Sequence, residues 1–198
     1  MLRGMRHTAL DIIREEHQAL AAMLRSLTLL LAQARREHKP PDFGVLRAML
    51  FYVDEFPERL HHPKESALLF PKLRERCPEL APVMARLDDD HALGEREVRD
   101  LQHALLAFEL LGEPRRAAFE RAAQDYVTAY LEHMAIEERD ILPAAQSSFS
   151  AEDWRSLDEA FAANRDPLTG HPAAAEFAPL FQRILNSAPA PIGLGPAA

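Results

Sequence analysis

Apolar residues recur at steps of three and four along most of the chain, and this spacing predicts long amphipathic helices. The sequence has no sustained alternation of apolar and polar residues, and its β-branched residues are sparse, so strands are not expected. The apolar stripe of the first helix runs from Leu10 to Leu31. Pro40 and Pro41 stop this helix, and Asp42 is placed to cap the next one.

Three further long helices follow the first. The second carries its stripe from Leu46 to Leu68 and ends near Cys77, the third ends at Gly112, and the fourth ends near Pro143. Four long helices joined by turns of a few residues predict an all-α fold, an up-down-up-down four-helix bundle.

The chain continues beyond this bundle. A capping box at Ser150 predicts a fifth, shorter helix, and residues 176–186 are expected to form one more. The tail over 188–196, which is rich in Pro, Ala and Gly, is expected to be disordered. We therefore expect residues 1–165 to form the bundle with its fifth helix, and residues 166–198 to be a partly disordered C-terminal extension.

Each of the four apolar stripes contains one histidine where an apolar residue is expected. Two stripes add a glutamate four residues later, which places it on the same helix face as the histidine. Counted from the turns, the levels of the four histidines differ by at most three residues, which is about 4.5 Å along a helix axis. We therefore expect one polar layer in the core, formed by His17, His61, Glu65, His91, His133 and Glu137.

The second and fourth helices share the motif His-x3-Glu-x5-Pro, which begins at His61 and again at His133. A pseudo-two-fold site with one carboxylate from each half is suited to two metal ions. A single buried histidine is usually a hydrogen-bonded core residue, but six polar residues in one layer would find few partners, and buried charge is costly. Imidazole and carboxylate ligands without thiolate favour iron or manganese at a dinuclear site, and zinc stays an alternative.

Composition narrows the classes of partner. With 198 residues, 47% of them hydrophobic, the chain can bury one substantial core. Its net charge of −8 repels phosphate backbones and argues against nucleic acid, and no apolar run reaches the ~20 residues that span a bilayer. Cys77 is the only cysteine, which excludes a disulfide framework. The first residues lack the apolar stretch of a signal peptide, so a cytoplasmic location is expected.

The ordered set H…HxxxE…H…HxxxE, together with the segment from Phe56 to Pro71, resembles the hemerythrin-like, HHE cation-binding domain family over about residues 8–146. The resemblance implies a non-haem di-iron centre in a four-helix bundle. It also implies that Glu65 and Glu137 bridge the irons, with an oxo or hydroxo group between the two metals. Members of the family bind oxygen or nitric oxide, break down peroxide, or sense iron and oxygen.

The third helix departs from the pattern of the oxygen-carrying hemerythrins. Those proteins supply a second histidine four residues after the first, and this sequence has Glu95 at that position. Glu95 is expected either to bind one iron through a carboxylate oxygen or to be a solvated residue beside Arg96 or Arg99. In the second case that iron has an open coordination site. Harder ligands favour ferric iron, which argues against reversible oxygen carriage. Gly94, on the core face, removes a side chain where a ligand can sit.

The second helix has unusual residues beside its predicted ligand. His62 is rotated about 100° around the helix from His61, so it is expected to support the ligands or to serve as an alternative one. Pro57 and Pro63 predict a kink nearby. Four other histidines fall outside the layer and are expected on the surface; they are His7, His38, His103 and His171.

The function expected from these observations is a di-iron protein that binds or reacts with O2, NO or peroxide. The alternative is an iron, oxygen or redox sensor without turnover, in which the fifth helix and the tail would meet a partner. Whether there is catalysis, a homodimer or another protein partner is left open. A ferritin-like oxidase is disfavoured because Glu-x-x-His occurs before His61 but not before His133, where Tyr130 stands instead. Tyr130 either donates to a bound oxygen species or packs in the core.

Overall fold

The computed structural model describes residues 8–189 and residue 192, and the regular secondary structure of that part of the chain is helical throughout. The first helix, α1, spans Thr8–Arg36. Asp42 caps the next helix as predicted, because its side chain accepts a hydrogen bond of 3.1 Å from the backbone N–H of Val45.

The second helix, α2, is continuous over residues 43–76 but alternates between α-helical and π-helical turns. Its α-helical parts are Phe43–Val53, His62–Lys64 and Phe70–Arg76. Its π-helical parts are Asp54–His61 and Glu65–Leu69. Both predicted ligands of this helix therefore lie at the boundaries of π-helical segments, which are frequent at functional sites.

The third and fourth helices form the second half of the bundle. A 3-10 turn, Pro78–Leu80, leads into α3, Ala81–Leu111, which ends before Gly112 as predicted. The fourth helix, α4, covers residues 113–148 in three parts, which are Glu113–Ile136, the π-helical Glu137–Ile141, and Leu142–Ser148. The predicted end of this helix near Pro143 is therefore wrong.

Pro63, Pro71 and Pro143 lie inside helices without ending them, because each follows a π-helical turn, whereas Pro57 lies within one. A proline lacks an N–H and crowds the carbonyl four residues back, which usually stops a helix. Here the residue before Pro63, Pro71 or Pro143 donates its N–H to the carbonyl five residues back. In two of the three cases that carbonyl belongs to Glu65 or Glu137. The shared Glu-x5-Pro spacing is thus the spacing of a π-helical turn followed by proline.

Two shorter helices complete the described chain. The fifth, α5, spans Ala151–Ala162 and begins with the predicted capping box between Ser150 and Asp153. The sixth, α6, spans Ala178–Ser187, close to the predicted 176–186. Ala188 is buried, whereas residues 190, 191 and 193–198 of the predicted flexible tail lie outside the described residues.

Two apolar clusters fill the core, with the polar layer between them. Cluster A includes Leu24, Leu50, Phe108 and Phe119. Cluster B includes Ile13, Phe70, Leu87 and Leu142. Along α1 and α3 the chain passes from cluster B to cluster A, and along α2 and α4 it passes from A to B. Helix α5 packs on α1 in cluster B, and α6 packs on α2 in cluster A.

Candidate metal centre

Four buried histidines meet between the two clusters, one from each of the long helices. The Nε2 atoms of His17 and His61 lie 3.2 Å apart, and we name these residues the first pair. The Nε2 atoms of His91 and His133 lie 3.0 Å apart and form the second pair. The predicted common layer of histidines is therefore present, with every Nε2 close to a second one.

Glu65, from α2, contacts one histidine of each pair. Its Oε1 lies 3.2 Å from Nε2 of His61, and its Oε2 lies 3.5 Å from Nε2 of His91. The residue is fully buried, so water does not compensate its charge. One carboxylate thus faces both pairs, one oxygen to each.

Glu137, from α4, repeats this arrangement. Its Oε2 lies 3.3 Å from Nε2 of His17, and its Oε1 lies 3.2 Å from Nε2 of His133. Each of the four oxygens of Glu65 and Glu137 lies 3.2–3.5 Å from a histidine Nε2, but among the described residues none of these contacts has the geometry of a hydrogen bond. Buried carboxylates without donors are costly, and a cation bound by the surrounding nitrogens would compensate their charge. The residues present therefore fit a metal site.

The other ring nitrogen, Nδ1, of each histidine faces outward to a different polar group. Nδ1 of His61 lies 2.7 Å from Oε2 of Glu16. Nδ1 of His91 lies 2.9 Å from the hydroxyl of Ser66, which donates to Asp88 at 2.6 Å and so accepts from the histidine. With Nδ1–H used on the outside, Nε2 is the nitrogen left for a metal, and the ring orientation is held.

The remaining two histidines follow the same rule with longer contacts. Nδ1 of His17 lies 3.3 Å from Oε1 of Glu138, and Nδ1 of His133 lies 3.5 Å from Oδ2 of Asp90. Carboxylate partners of this kind are the usual outer support of metal-binding histidines. These outer partners, with Glu16 and Ser66, were not predicted from the sequence, because they lie on the helix flanks and no spacing rule distinguishes them from surface residues.

A comparison with protein families agrees with this geometry. The family model "Hemerythrin HHE cation binding domain" matches residues 8–145. The chain belongs to this family. Every histidine and glutamate described above lies within the matched residues, and the family binds cations. Neither a curated protein nor a solved structure matches the chain. In the part of the chain that the structure describes, none of the helices combines the length and the hydrophobicity that a membrane span requires.

Candidate ligand atoms of the hemerythrin domain form two close groups, and Glu137 belongs to neither of them. In each group, one atom per residue lies within 4.8 Å of all the others. The two groups are His17, His61 and Glu65, and His62, Glu65, His91 and His133. Glu65 belongs to both groups, in agreement with its contact to both pairs of histidines.

His62 is brought to the second pair, where its ring stacks on that of His91 at a centroid distance of 4.1 Å. Its Nδ1 lies 3.0 Å from Oε2 of Glu58, and its Nε2 lies 3.1 Å from the hydroxyl of Tyr130. Both of its ring nitrogens therefore have protein partners, and these are Glu58 and Tyr130 and not Glu65 or Glu137. This placement is compatible with either role expected for His62, support of the ligands or an alternative ligand.

Glu58 is a buried residue of the site that the sequence analysis did not place there. Its Oε1 accepts hydrogen bonds from Tyr130 at 2.9 Å and from Tyr126 at 3.1 Å. A Cβ on Gly94 would lie 3.0 Å from the same oxygen. The space that Gly94 leaves is therefore filled by Glu58, and the hydroxyl of Tyr130 is used within the protein. The position of Glu58, four residues before His62, was the signal that could have indicated it.

Glu95 is the one predicted ligand that the structure does not bring to the others. Its side chain is half-exposed and accepts a hydrogen bond of 2.6 Å from Arg99, one helical turn further along α3. The buried face of α3 continues from His91 to Gly94 and Val98, so it passes beside position 95. The structure thus places Glu95 beside Arg99 and away from the other candidate ligands, and its ligation of a metal stays a prediction.

Burial and mutual attraction set the charges of the polar layer. Burial lowers the pKa of His133, but Glu137, Glu65 and Asp90 outweigh this and raise it to about 9. Burial raises the pKa of Glu137, but the neighbouring histidines lower it well below its usual range. Imidazolium and carboxylate thus stabilise each other, and a metal ion that binds these atoms must displace protons.

In the neighbouring cluster around Glu58, burial outweighs the other influences on the pKa values. Burial raises the pKa of Glu58 to about 7, although hydrogen bonds from Tyr130 and Tyr126 act in the other direction. Burial also lowers the pKa of His62 well below its usual range, and the nearby histidines add to this effect. His62 is therefore neutral at pH 7.

A cavity of about 90 Å³ lies between α3 and α4, beside the second pair. It has room for a small molecule, and both polar and apolar side chains form its wall. Its lining includes His62, His91, Gly94, Tyr126, Tyr130 and His133. A cavity of about 10 Å³ lies beside the first pair, and His17 also lines a further space of about 410 Å³ between α1 and α4.

The segment after α5 also reaches the site, although it lies beyond the matched residues of the hemerythrin domain. Asn164 is buried, and its Nδ2 donates to Oε2 of Glu16 at 3.0 Å. The ammonium of Lys64 donates to Oδ1 of Asn164. Asp166 is buried as well and accepts a hydrogen bond of 2.6 Å from Tyr52. No motif in the sequence indicated these contacts.

The histidines expected on the surface agree with this assignment where they are described. His38, His103 and His171 are exposed, and His7 lies outside the described residues. The cytoplasmic location, the absence of nucleic-acid and membrane partners, and the question of a homodimer stay predictions.

Proposed function

We propose that this hemerythrin domain holds two iron ions and binds or reacts with a small oxygen species, namely O2, NO or peroxide. In the proposal the first pair holds one ion and the second pair the other, and Glu65 and Glu137 each reach both. An oxo or hydroxo group between the ions is part of the proposal. The observation that carries it is that four fully buried carboxylate oxygens, without hydrogen-bond partners among the described residues, face four imidazole nitrogens.

The donor set supports iron over softer metals. All candidate ligand atoms are imidazole nitrogens or carboxylate oxygens, and Cys77 lies at the end of α2, outside both groups of ligand atoms. Such ligands suit iron and manganese, and they are also compatible with zinc. Iron held in this way supplies the electrons for redox chemistry with a small oxygen species. Glu95 is not part of the proposed ligand set, and His62 is its nearest additional candidate.

The protein residues around the ligands have separate tasks in this proposal. The outward Nδ1 contacts hold the four imidazole rings in orientation. Clusters A and B exclude water from the polar layer on both sides, which strengthens its electrostatic interactions. The cavity beside His91 and His133 is large enough for a diatomic molecule or peroxide but far smaller than the pockets of about 300–1,000 Å³ that hold larger substrates.

The proposed architecture is the up-down-up-down bundle of α1 to α4, with residues 1–165 as one unit and 166–198 as an extension. The alternating passage between clusters A and B along the four helices supports this order, because neighbouring helices then run in opposite directions. The proposed boundary at 165 falls between Asn164 and Asp166, which both contact the bundle.

Metal content per chain, measured by plasma mass spectrometry on protein purified without an affinity tag, tests the proposal directly. About two irons per chain support it, whereas zinc or a single substoichiometric metal contradicts it. Reactivity is then measured by mixing peroxide or NO with the iron-loaded and the metal-free protein. The proposal expects only the loaded protein to react, and equal rates would contradict the proposed reaction.

One observation favours the second candidate function, a sensor without turnover. The contact between Asn164 and Glu16 connects the centre to the chain beyond the bundle, so metal binding can be transmitted to α5 and α6. Limited proteolysis with and without metal distinguishes this candidate. A sensor predicts different cleavage of the C-terminal part, and identical patterns contradict it.

A further inference from the structure

We propose that Asn164 is a positioning residue of the metal centre, which holds Glu16 so that Glu16 fixes the imidazole ring of His61. The inference rests on the proposed function, because it assigns a residue to the same centre. It concerns a part of the chain that the match over residues 8–145 does not cover. Asn164 follows α5 and is 148 positions from Glu16 in the sequence.

One oxygen of Glu16 receives two hydrogen bonds. Oε2 lies 2.7 Å from Nδ1 of His61 and 3.0 Å from Nδ2 of Asn164. All three residues are buried, so water is not a ready substitute for either donor. Because the carboxylate is held from two sides, it has little freedom to rotate away from the imidazole ring.

The orientation of the Asn164 amide follows from its second partner. The ammonium of Lys64 only donates hydrogen bonds, so the amide oxygen must face Lys64 and the amide NH2 must face Glu16. Lys64 directly precedes Glu65, the carboxylate that contacts both pairs. Asn164 therefore bonds to the sequence neighbours of two candidate ligands. Glu16 directly precedes His17 on α1, and Lys64 directly precedes Glu65 on α2.

The packing of α5 positions Asn164 between Glu16 and Lys64. Leu157 and Phe161 of α5 are fully buried in cluster B, and Asp158 accepts a hydrogen bond of 2.7 Å from the backbone N–H of Ala9 at the start of α1. The helix ends at Ala162, and Asn164 follows within two residues. Its position is thus set by a docked helix and not by a free loop.

A role in packing alone does not account for this arrangement. The amide uses both its donor and its acceptor on charged groups, and an apolar residue of similar size would leave Glu16 without its second donor. Outer partners of metal-binding histidines typically contribute about 10- to 100-fold to metal affinity. We expect Asn164 to act within this range through Glu16.

The substitution Asn164→Asp tests the inference in the full-length protein. It retains nearly the same shape and the acceptor for Lys64, but it replaces the donor with a carboxylate oxygen that repels Glu16. Asn186→Asp is the matched control, because Asn186 is the only other asparagine and lies exposed on α6, where it bonds to Gln182. The dissociation constant for Fe(II) is measured under anaerobic conditions by competition with a chelator.

We expect Fe(II) to bind Asn164→Asp about 10- to 100-fold more weakly than the wild type, and Asn186→Asp to bind it like the wild type. Asn164→Ala, which removes the amide without adding charge, is measured alongside and is expected to lose about 10-fold. Equal affinities of the wild type and both Asn164 variants would overturn the inference and leave the proposed function standing. Absence of metal binding by the wild type would overturn the proposed function itself.

A double-mutant cycle separates positioning from general destabilisation. If Asn164 acts through Glu16, its substitution has little further effect on Fe(II) affinity in the Glu16→Ala background. An undiminished loss in that background would overturn the inference. A second readout uses metal-free protein, in which the ¹⁵N shift of His61 Nδ1 is expected to change in Asn164→Asp and to stay constant in Asn186→Asp.

Discussion

Glu65 and Glu137 lie 72 residues apart in the sequence, and each begins a five-residue π-helical segment that places its two carboxylate oxygens against both pairs of histidines. The carbonyl of each glutamate accepts the N–H of the residue five positions later, directly before a proline. The same residue thus supplies a candidate ligand and the backbone acceptor that lets the helix continue past proline. The repeat in the sequence has one structural cause in both halves of the bundle.

The two glutamates are expected to be required for metal binding, whereas Glu95 is not. Glu65→Ala or Glu137→Ala removes the oxygens that face both pairs, so we expect less than two irons per chain by plasma mass spectrometry. Glu95→Ala is the control, because that side chain is half-exposed and paired with Arg99. The variant is expected to retain the iron content and visible spectrum of the wild type. Two irons in both glutamate variants would contradict the assigned site.

Metal binding is expected to stabilise the fold. A ligand present at a thousand times its dissociation constant adds about 4 kcal/mol to the free energy of unfolding. For a chain of this length the melting temperature then rises by roughly 10 °C. Calorimetry of loaded and metal-free protein measures the shift, and Glu137→Ala is expected to abolish most of it. A wild-type protein with the same Tm in both forms would show that the buried layer does not take up metal.

Gly94→Val is expected to destabilise the protein by disturbing Glu58. A Cβ at position 94 would already lie 3.0 Å from Oε1 of Glu58, which is held by Tyr126 and Tyr130. Overpacking of this kind typically costs about 1–3 kcal/mol. Leu93→Val, at the half-exposed neighbouring position, controls for the helix propensity of valine. Equal unfolding free energies of the two variants in urea would mean that Glu58 moves away without cost.

Asp166 is expected to give the fold a measurable pH dependence. Burial raises its pKa above the ordinary value of 3.8, although the hydrogen bond from Tyr52 opposes the shift. The folded protein therefore binds this proton more tightly than the unfolded chain, and the contribution is lost as pH rises through the raised pKa. As pH rises above about 4, the unfolding free energy of the wild type should fall relative to that of Asp166→Asn.

The measurement is a series of urea titrations between acidic and neutral pH. Asp125→Asn, at an exposed position, controls for the removal of one negative charge from the protein. A constant difference between the wild type and Asp166→Asn at all pH values would contradict the assigned raised pKa.

Local patterns in the sequence were sufficient for the helices and for most of the polar layer. The steps of three and four, the cap at Asp42 and the capping box at Ser150 act over one or two helical turns, and the structure confirms these boundaries. The end predicted near Pro143 was wrong because a π-helical turn accommodates the proline, and its hydrogen bonds have no simple signature in side-chain spacing.

The histidines and glutamates of the layer could be found because helical periodicity forces a polar residue on an apolar stripe into the core. Contacts across helices could not be found in this way. Glu16 and Asn164 reach the centre through the packing of helices that are far apart in the sequence. Glu95 faces solvent because the buried face of α3 continues through His91, Gly94 and Val98. The sequence by itself determined which helices form and which residues share a face, since both depend on neighbours along the chain. Only the tertiary structure decided the hydrogen-bond partners, because these depend on how separate helices dock.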